Sequence, residues 1–176
     1  MEKLFIVRFE TFVSIILAML GFEGGEYEGF FDRFKETRLN FKAKKKVEGL
    51  TFKKQCLLRS VGIDGNIDIE PYETSGYFDV KFKKQFICMS EMAFEIPHNV
   101  MINIVRVLFV ERFNIDDKKY LKISTRDDNS IIIDVDMKNM NEVTIYGQDL
   151  RIISLIDCTL SIENVGNNVL RFIMTF

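Results

Sequence analysis

The chain has 176 residues, of which 47% are hydrophobic and 28% are charged, and its formal net charge is -2. These values exclude a collagen-like chain, a disordered chain and a protein that coats nucleic acid over its whole surface. They fit one globular domain over residues 1–176. A single histidine and two prolines argue against histidine chemistry and proline-rich recognition.

The first predicted elements are a strand over residues 3–9 and a short helix over residues 10–20. Arg8 and Glu10 interrupt this apolar segment, so its uncharged part is too short to cross about 30 Å of hydrocarbon. The segment also has no small-residue cleavage site, so it does not match a secretory signal. We therefore expect a packed strand and helix, with no membrane span.

From about residue 37 the hydrophobic pattern changes from helical to alternating. Residues 38–44 alternate apolar and polar side chains, which is typical of a strand with one wet face. Residues 49–58 are interpreted as the next strand. Shorter strands are predicted near residues 66–70 and 76–88, with turn signals between them.

The strongest helical pattern lies at residues 97–113. Pro97 suits a first-turn position, and apolar residues recur at helical spacing after it. Its polar residues are few, so the helix is predicted to be covered on more than one side. It therefore lies either at the centre of the domain or in an interface with a partner subunit.

The chain after Asn114 is predicted to return to strands separated by short turns, which implies antiparallel neighbours. The predicted strands cover residues 120–124, 130–137, 142–146, 150–163 and 169–174. The fold class is therefore α+β: a curved antiparallel β-sheet with two helices packed on one face, in the order β-α-ββββ-α-βββββ.

Three cysteines, Cys56, Cys88 and Cys158, lie far apart and form no CxxC pair. An odd, dispersed set of thiols is typical of a reduced intracellular protein, so we expect a cytoplasmic location. Each thiol is predicted to be a small apolar core residue.

Residues 64–70 resemble the first half of a calcium loop, with oxygen ligands at alternate positions. A calcium loop needs glycine at its sixth position and glutamate at its twelfth, and here those positions hold Ile69 and Ser75. A hairpin turn followed by a solvated acidic strand is the better interpretation. No metal ion and no cofactor is predicted.

Catalytic motifs are also missing from the sequence. The lone His98 follows Pro97 at a helix start, where an imidazole is most often exposed or caps a turn. Neither a nucleophile elbow, nor a phosphate-binding loop, nor a dinucleotide-binding motif is present. We name no catalytic residue and favour a non-enzymatic protein, without excluding an enzyme of unrecognised motif.

The near-neutral total charge conceals an uneven distribution. Residues 33–59, here called the basic strip, hold ten Lys or Arg residues against Glu36 and Glu48, a local charge of +8. Such a strip creates a directional field that attracts an anionic partner. The predicted partner-binding or nucleic-acid-binding residues are Arg38, Lys42, Lys44, Lys45, Lys46, Lys53, Lys54 and Arg59.

The leading hypothesis is an interaction or structural module of a protein assembly. It would contact an acidic protein partner through the basic strand face, or its own subunits through the apolar helix at 97–113. The alternative is nucleic-acid binding through the basic strip, with Phe30, Phe31 and Phe34 available to stack on bases. A solvated lysine-rich face also protects strand edges from aggregation and needs no ligand.

Overall fold

The computed structural model describes residues 3–21, 29–34, 38–43, 51–61, 67–71, 78–82, 88–90, 93–137 and 148–176. The chain divides into two compact units. Unit 1 comprises Met1–Gly24 and Ile96–Phe176, and unit 2 comprises Gly25–Glu95.

Unit 1 begins with strand β1 (Leu4–Arg8) and helix α1 (Phe9–Met19). Alternate residues of β1 are buried, so Phe5 and Val7 enter the core while the residues beside them face outward. Both elements match the predicted strand and helix. The buried hydroxyl of Ser14 donates to the Thr11 carbonyl at 2.7 Å, which satisfies a polar group on the packed side of α1.

The second strand–helix pair of unit 1 is the end of β7 (Ala93–Pro97) and α3 (His98–Phe113), and β1 pairs with β7. The backbone N–H of His98 donates to the Lys3 carbonyl at 3.1 Å, which satisfies one donor of the first helical turn. Asn114 ends the helix in the left-handed conformation, with φ 50°, where its N–H bonds back to Val110.

The rest of unit 1 is a four-stranded antiparallel sheet with two short helices. Their bounds are α4 (Asp117–Tyr120), β8 (Leu121–Arg126), β9 (Ser130–Asp136), α5 (Gln148–Ser154), β10 (Thr159–Asn164) and β11 (Val169–Thr175). The strand order is β10-β11-β9-β8, so β10 and β8 are the two edges.

The core of unit 1 lies between this sheet and α3. The rings of Phe109 and Phe172 meet edge to face at 5.0 Å, and Phe113 lies 5.9 Å from Phe172. Helix α1 packs against α3 in turn. Seven residues of α3 are buried, so the helix lies at the centre of this unit and its apolar face is covered by the chain itself.

Unit 2 holds a second four-stranded antiparallel sheet. Its elements are β2 (Gly29–Phe34), β3 (Arg38–Ala43), α2 (Phe52–Val61), β4 (Ile67–Pro71) and β5 (Phe78–Phe82), and the strand order is β2-β3-β5-β4. A short strand, β6 (Cys88–Ser90), pairs antiparallel with the beginning of β7.

The α+β class and the antiparallel pairing are confirmed, but two predicted strands are wrong in part. Residues 52–61 form α2, because Thr51 caps a run of good helix formers: its hydroxyl accepts from the Lys54 N–H at 3.3 Å. Residues 148–154 form α5, in which Ile152 and Ile153 are buried. The predicted strand at 142–146 lies outside the described residues.

No helix in the described part of the chain is both long enough and apolar enough to cross a membrane.

Candidate functional site

The basic strip lies in unit 2, on two different kinds of element. Arg38 and Lys42 belong to strand β3, whereas Lys53, Lys54 and Arg59 belong to helix α2. The predicted strand over residues 49–58 is therefore wrong where it includes Lys53 and Lys54, and Arg59 also lies on the helix. Lys44, Lys45 and Lys46 lie outside the described residues.

One cation of strand β3 has an acidic neighbour on strand β5. In the register of the sheet, Lys42 lies opposite Asp79 of β5, and Asn40 lies opposite Lys81. The position of Lys42 is thus beside an acidic residue, which weakens its field toward a ligand.

The first two turns of α2 combine an aromatic ring with a cation at the surface. Phe52 is 75% exposed, Lys53 and Cys56 are exposed, and Gln55 is buried. Cys56 therefore departs from the prediction that each cysteine is a core residue. In unit 1 the thiol of Cys158 is partly covered, and burial, followed by the nearby Asp157 carboxylate, raises its pKa to about 12.

A row of alternating charge crosses the sheet of unit 1. Glu163 lies opposite Arg171, Arg171 opposite Asp134, and Asp134 opposite Lys122. The Arg171 guanidinium donates to both carboxylate oxygens of Asp134, at 2.8 and 3.0 Å. These two bonds raise the pKa of Arg171 above its ordinary value, and the charge of Glu163 adds to the rise. The row favours the observed register of the four strands, since opposite charges face each other at every step.

An apolar row lies beside it, on the side of the sheet that faces α3. It runs from Ile123 through Ile133 and Phe172 to Ile162 on the edge strand β10. Phe172 and Ile133 are fully buried, but Ile162 is 40% exposed. The apolar surface of the sheet therefore continues past the helix layer and ends in solvent.

The two edges of this sheet are protected to different degrees. Edge strand β8 carries the exposed cations Lys122 and Arg126, and α4 leads directly into it. Edge strand β10 carries only one charge, Glu163, and five of its six residues are exposed. Lysines and covering helices are the usual devices against edge-to-edge pairing, and β10 has neither among the residues described.

The outward backbone groups of β10 follow from its pairing with β11. The N–H of Val165 donates to the Val169 carbonyl at 3.2 Å, which directs the odd-numbered residues toward β11. Because backbone direction alternates along a strand, Leu160, Ile162 and Asn164 direct their N–H and C=O groups away from the sheet. The described strands place none of their own backbone beside these groups.

The single histidine, His98, lies in a cluster of side chains at one end of β1. Its ring stacks on Phe5, with centroids 4.0 Å apart, and Lys3 pairs with Asp127 at 2.8 Å nearby. Burial, and next the Lys3 charge, lower the pKa of His98 below its ordinary value. The described residues bring no three His, Cys, Asp or Glu side chains together in a way that suits a metal ion.

Asn129 closes the same end of the unit. Its side-chain amide donates to the carbonyls of Ile6 and Phe176, and its oxygen accepts from the Ile6 N–H, each at 2.9 Å. The amide thus pairs with the backbone of Ile6 as a residue of a neighbouring strand would, and β1 is occupied at that position. This leaves β10 as the open edge of the unit, judged on its described strands.

The sequence predicts one long strand that includes most of β10, and it does not indicate that β10 forms an edge of the sheet.

Comparison of the chain with protein-family models, curated proteins and solved structures finds no match. The chain's own geometry offers two candidate surfaces: the open edge at β10 in unit 1 and the basic strip in unit 2. The first is an arrangement for holding an extended backbone, and the second is a source of positive field.

Proposed function

We propose that the chain is a non-enzymatic interaction module of a protein assembly, and that it binds a strand of another polypeptide along the edge of β10. The single observation behind this proposal is that β10 exposes both faces and carries one charge. Strand addition to an open edge gains main-chain hydrogen bonds, while side chains on alternate positions give specificity. The apolar row that ends at Ile162 would be continued by the added strand.

The charge row supports the same interpretation from the other face. Arg171 and Asp134 hold β11 and β9 in register, so the sheet presents β10 as a rigid edge. A rigid, preformed edge lowers the ordering cost of binding a partner strand. An intracellular, reducing compartment is part of the proposal, because Cys56 is a free thiol at the surface.

The variant Ile162→Pro tests this function. The backbone N–H of Ile162 is directed away from β11. Substitution by proline therefore removes an outward donor and leaves the hydrogen bonds between β10 and β11 intact. In a native extract we expect the wild-type chain to elute with a mass well above its 20.6 kDa. The variant should elute as a single chain.

Ile123→Pro, on edge strand β8, is the matched control and should leave the assembly intact if it folds. Thermal melting of each purified variant shows whether it is folded. A folded Ile162→Pro chain that keeps the mass of the wild-type assembly would contradict the proposal, as would a wild-type chain that elutes alone.

The second candidate function is binding of an acidic protein or a nucleic acid through the basic strip. The observation that favours it is that Phe52 and Lys53, an aromatic residue and a cation at consecutive positions of α2, are both exposed. Such pairs suit both base stacking and acidic side chains. The residues proposed for this function remain those of the basic strip, of which Lys53, Lys54 and Arg59 lie on α2.

Charge reversal separates this candidate from the first. Lys44→Glu with Lys45→Glu should abolish salt-dependent retention on immobilised single-stranded DNA or poly-glutamate. The control, Lys118→Glu with Lys119→Glu, makes the same charge change at two exposed lysines of unit 1. If the strip variant is retained as strongly as the control, this function is wrong. Comparison of the DNA and poly-glutamate matrices distinguishes binding of nucleic acid from binding of an acidic protein.

A further inference from the structure

We propose that the strand received by β10 is β10 of a second copy of this chain, in an antiparallel pair about a two-fold axis at Ile162. The inference rests on the proposed function and specifies its partner. Residue i of one copy then faces residue 324 − i of the other, so Ile162 faces its own counterpart. The two four-stranded sheets join into one continuous sheet.

The outward backbone groups select this register. Only Leu160, Ile162 and Asn164 direct backbone groups away from β11. In the proposed register Leu160 faces Asn164 of the second copy, and Asn164 faces Leu160, so every outward donor and acceptor of the strand has a partner. A shift of the axis to Ser161 leaves the groups of Asn164 without partners inside the strand.

Side-chain chemistry agrees with the backbone. The exposed Ile162 contacts its own counterpart, which extends the apolar row across the junction and covers surface that is open in the single chain. Glu163, the single charge of the strand, faces the hydroxyl of Ser161. An axis at Glu163 would instead place two carboxylates directly opposite each other, which is destabilising.

A second copy fits the edge better than a charged partner does. The row of charges from Lys122 to Glu163 is balanced within the sheet, because two cations alternate with two carboxylates and Glu163 is opposite Arg171. No uncompensated charge of β10 is therefore left to select a basic or acidic strand. An isologous pair of this kind is also the commonest form of closed oligomer.

The test is sedimentation velocity of the purified chain, from low micromolar to a few hundred micromolar concentration. The wild-type protein should show a monomer–dimer equilibrium. Ser161→Lys places a lysine opposite Glu163 of the second copy, twice per dimer, and should strengthen association about fivefold. Ser161→Glu, the matched control at the same exposed position, should weaken it by a similar factor.

The direction of these two effects distinguishes the registers. With the axis at Ser161, the introduced lysines would face each other and Ser161→Lys would weaken association. A Ser161→Lys variant that associates more weakly than the wild-type protein, or a chain that sediments as a monomer at every concentration, would overturn the proposal. Ile162→Lys, at an exposed side chain, should abolish the dimer and checks that Ile162 is at the junction.

The failure of this inference can be told from failure of the proposed function. If the purified chain is monomeric but its native assembly is lost in Ile162→Pro, another polypeptide occupies the edge. The function then stands and self-pairing is wrong. If the native assembly is also insensitive to Ile162→Pro, both are wrong. A monomer whose outward amides are protected from exchange would show that another part of the same chain covers β10, which also overturns self-pairing.

Discussion

Ile162 and Phe172 lie directly opposite each other on neighbouring strands and on the same face of the sheet, but their environments differ. The Phe172 ring is fully buried against Phe109 and Phe113 of α3, whereas Ile162 is 40% exposed. One row of side chains therefore passes from the centre of the core to the solvent within a single strand spacing.

Truncation of the two side chains should have very different costs. Phe172→Ala removes a ring from the core and should lower the free energy of unfolding by about 3–5 kcal/mol. Ile162→Ala should cost about 1 kcal/mol or less in the isolated chain, since much of the side chain is already in water. Urea unfolding at low protein concentration measures both, and equal costs would contradict the assignment of Ile162 to an open edge.

Asn129 is predicted to contribute strongly to the stability of unit 1. Asn129→Ala loses three hydrogen bonds and also places alanine at a φ of 62°, so it should destabilise the protein by about 3 kcal/mol. Asn129→Gly keeps the backbone conformation and should cost about 1 kcal/mol less. Urea unfolding of both variants checks this, and a glycine variant as stable as the wild-type protein would show that the amide bonds contribute nothing.

Gly21 and Gly166 have similar backbone conformations but different surroundings. Substitution of each by alanine therefore separates the cost of backbone strain from the cost of a steric clash. Gly21 and Gly166 have φ of 81° and 85°, but an added Cβ lies 2.9 Å from the Arg112 guanidinium at Gly21 and meets nothing at Gly166. The guanidinium donates to the Met19 carbonyl at the end of α1. Gly21→Ala should therefore cost about 1 kcal/mol more than Gly166→Ala in thermal unfolding. An equal cost would mean that Arg112 moves aside freely.

The contribution of His98 to the pH dependence of stability can be measured, because it is the one histidine in the sequence. Burial and Lys3 lower its pKa below 6.5, so the unfolded chain binds the proton more readily than the folded one. Stability should therefore rise with pH between the lowered pKa and about 6.5. Below this window the contribution of His98 is lost.

Two variants test the causes by NMR titration of the imidazole. Lys3→Ala removes a nearby cation and should raise the pKa of His98. Asp127→Asn removes a nearby anion and should lower it further. The exposed Lys119→Ala is the control and should leave the titration unchanged. Shifts of the same sign in the first two variants would contradict the arrangement around His98.

Much of the fold is readable from the sequence, because its strongest signals are local. Residues 98–113 form a helix as their apolar spacing predicts, and 130–136 form a strand with alternating burial. The error at 148–154 arises because a short apolar run fits a strand and a helix equally well. At 52–61 the segment is more polar, and its Lys, Gln, Leu and Arg residues are good helix formers that Thr51 caps.

The candidate edge was beyond sequence reasoning for a different reason. Whether a strand is central or at an edge depends on which strands pair, and this is a long-range property. Residues 159–164 carry a normal strand pattern, and nothing in that pattern shows that β11 covers one side and that the other is open. The basic strip, by contrast, is visible in the sequence as charge, but its division between β3 and α2 is not.

The most direct test of the central claim is amide hydrogen exchange along β10. Thr159, Ser161 and Glu163 donate toward β11 and should exchange slowly at every concentration, whereas Leu160, Ile162 and Asn164 direct their N–H groups outward. The outward amides should be slow at high protein concentration and should become fast on dilution, while the inward set stays slow. Outward amides that exchange fast at every concentration, and also in the native assembly, would contradict the account.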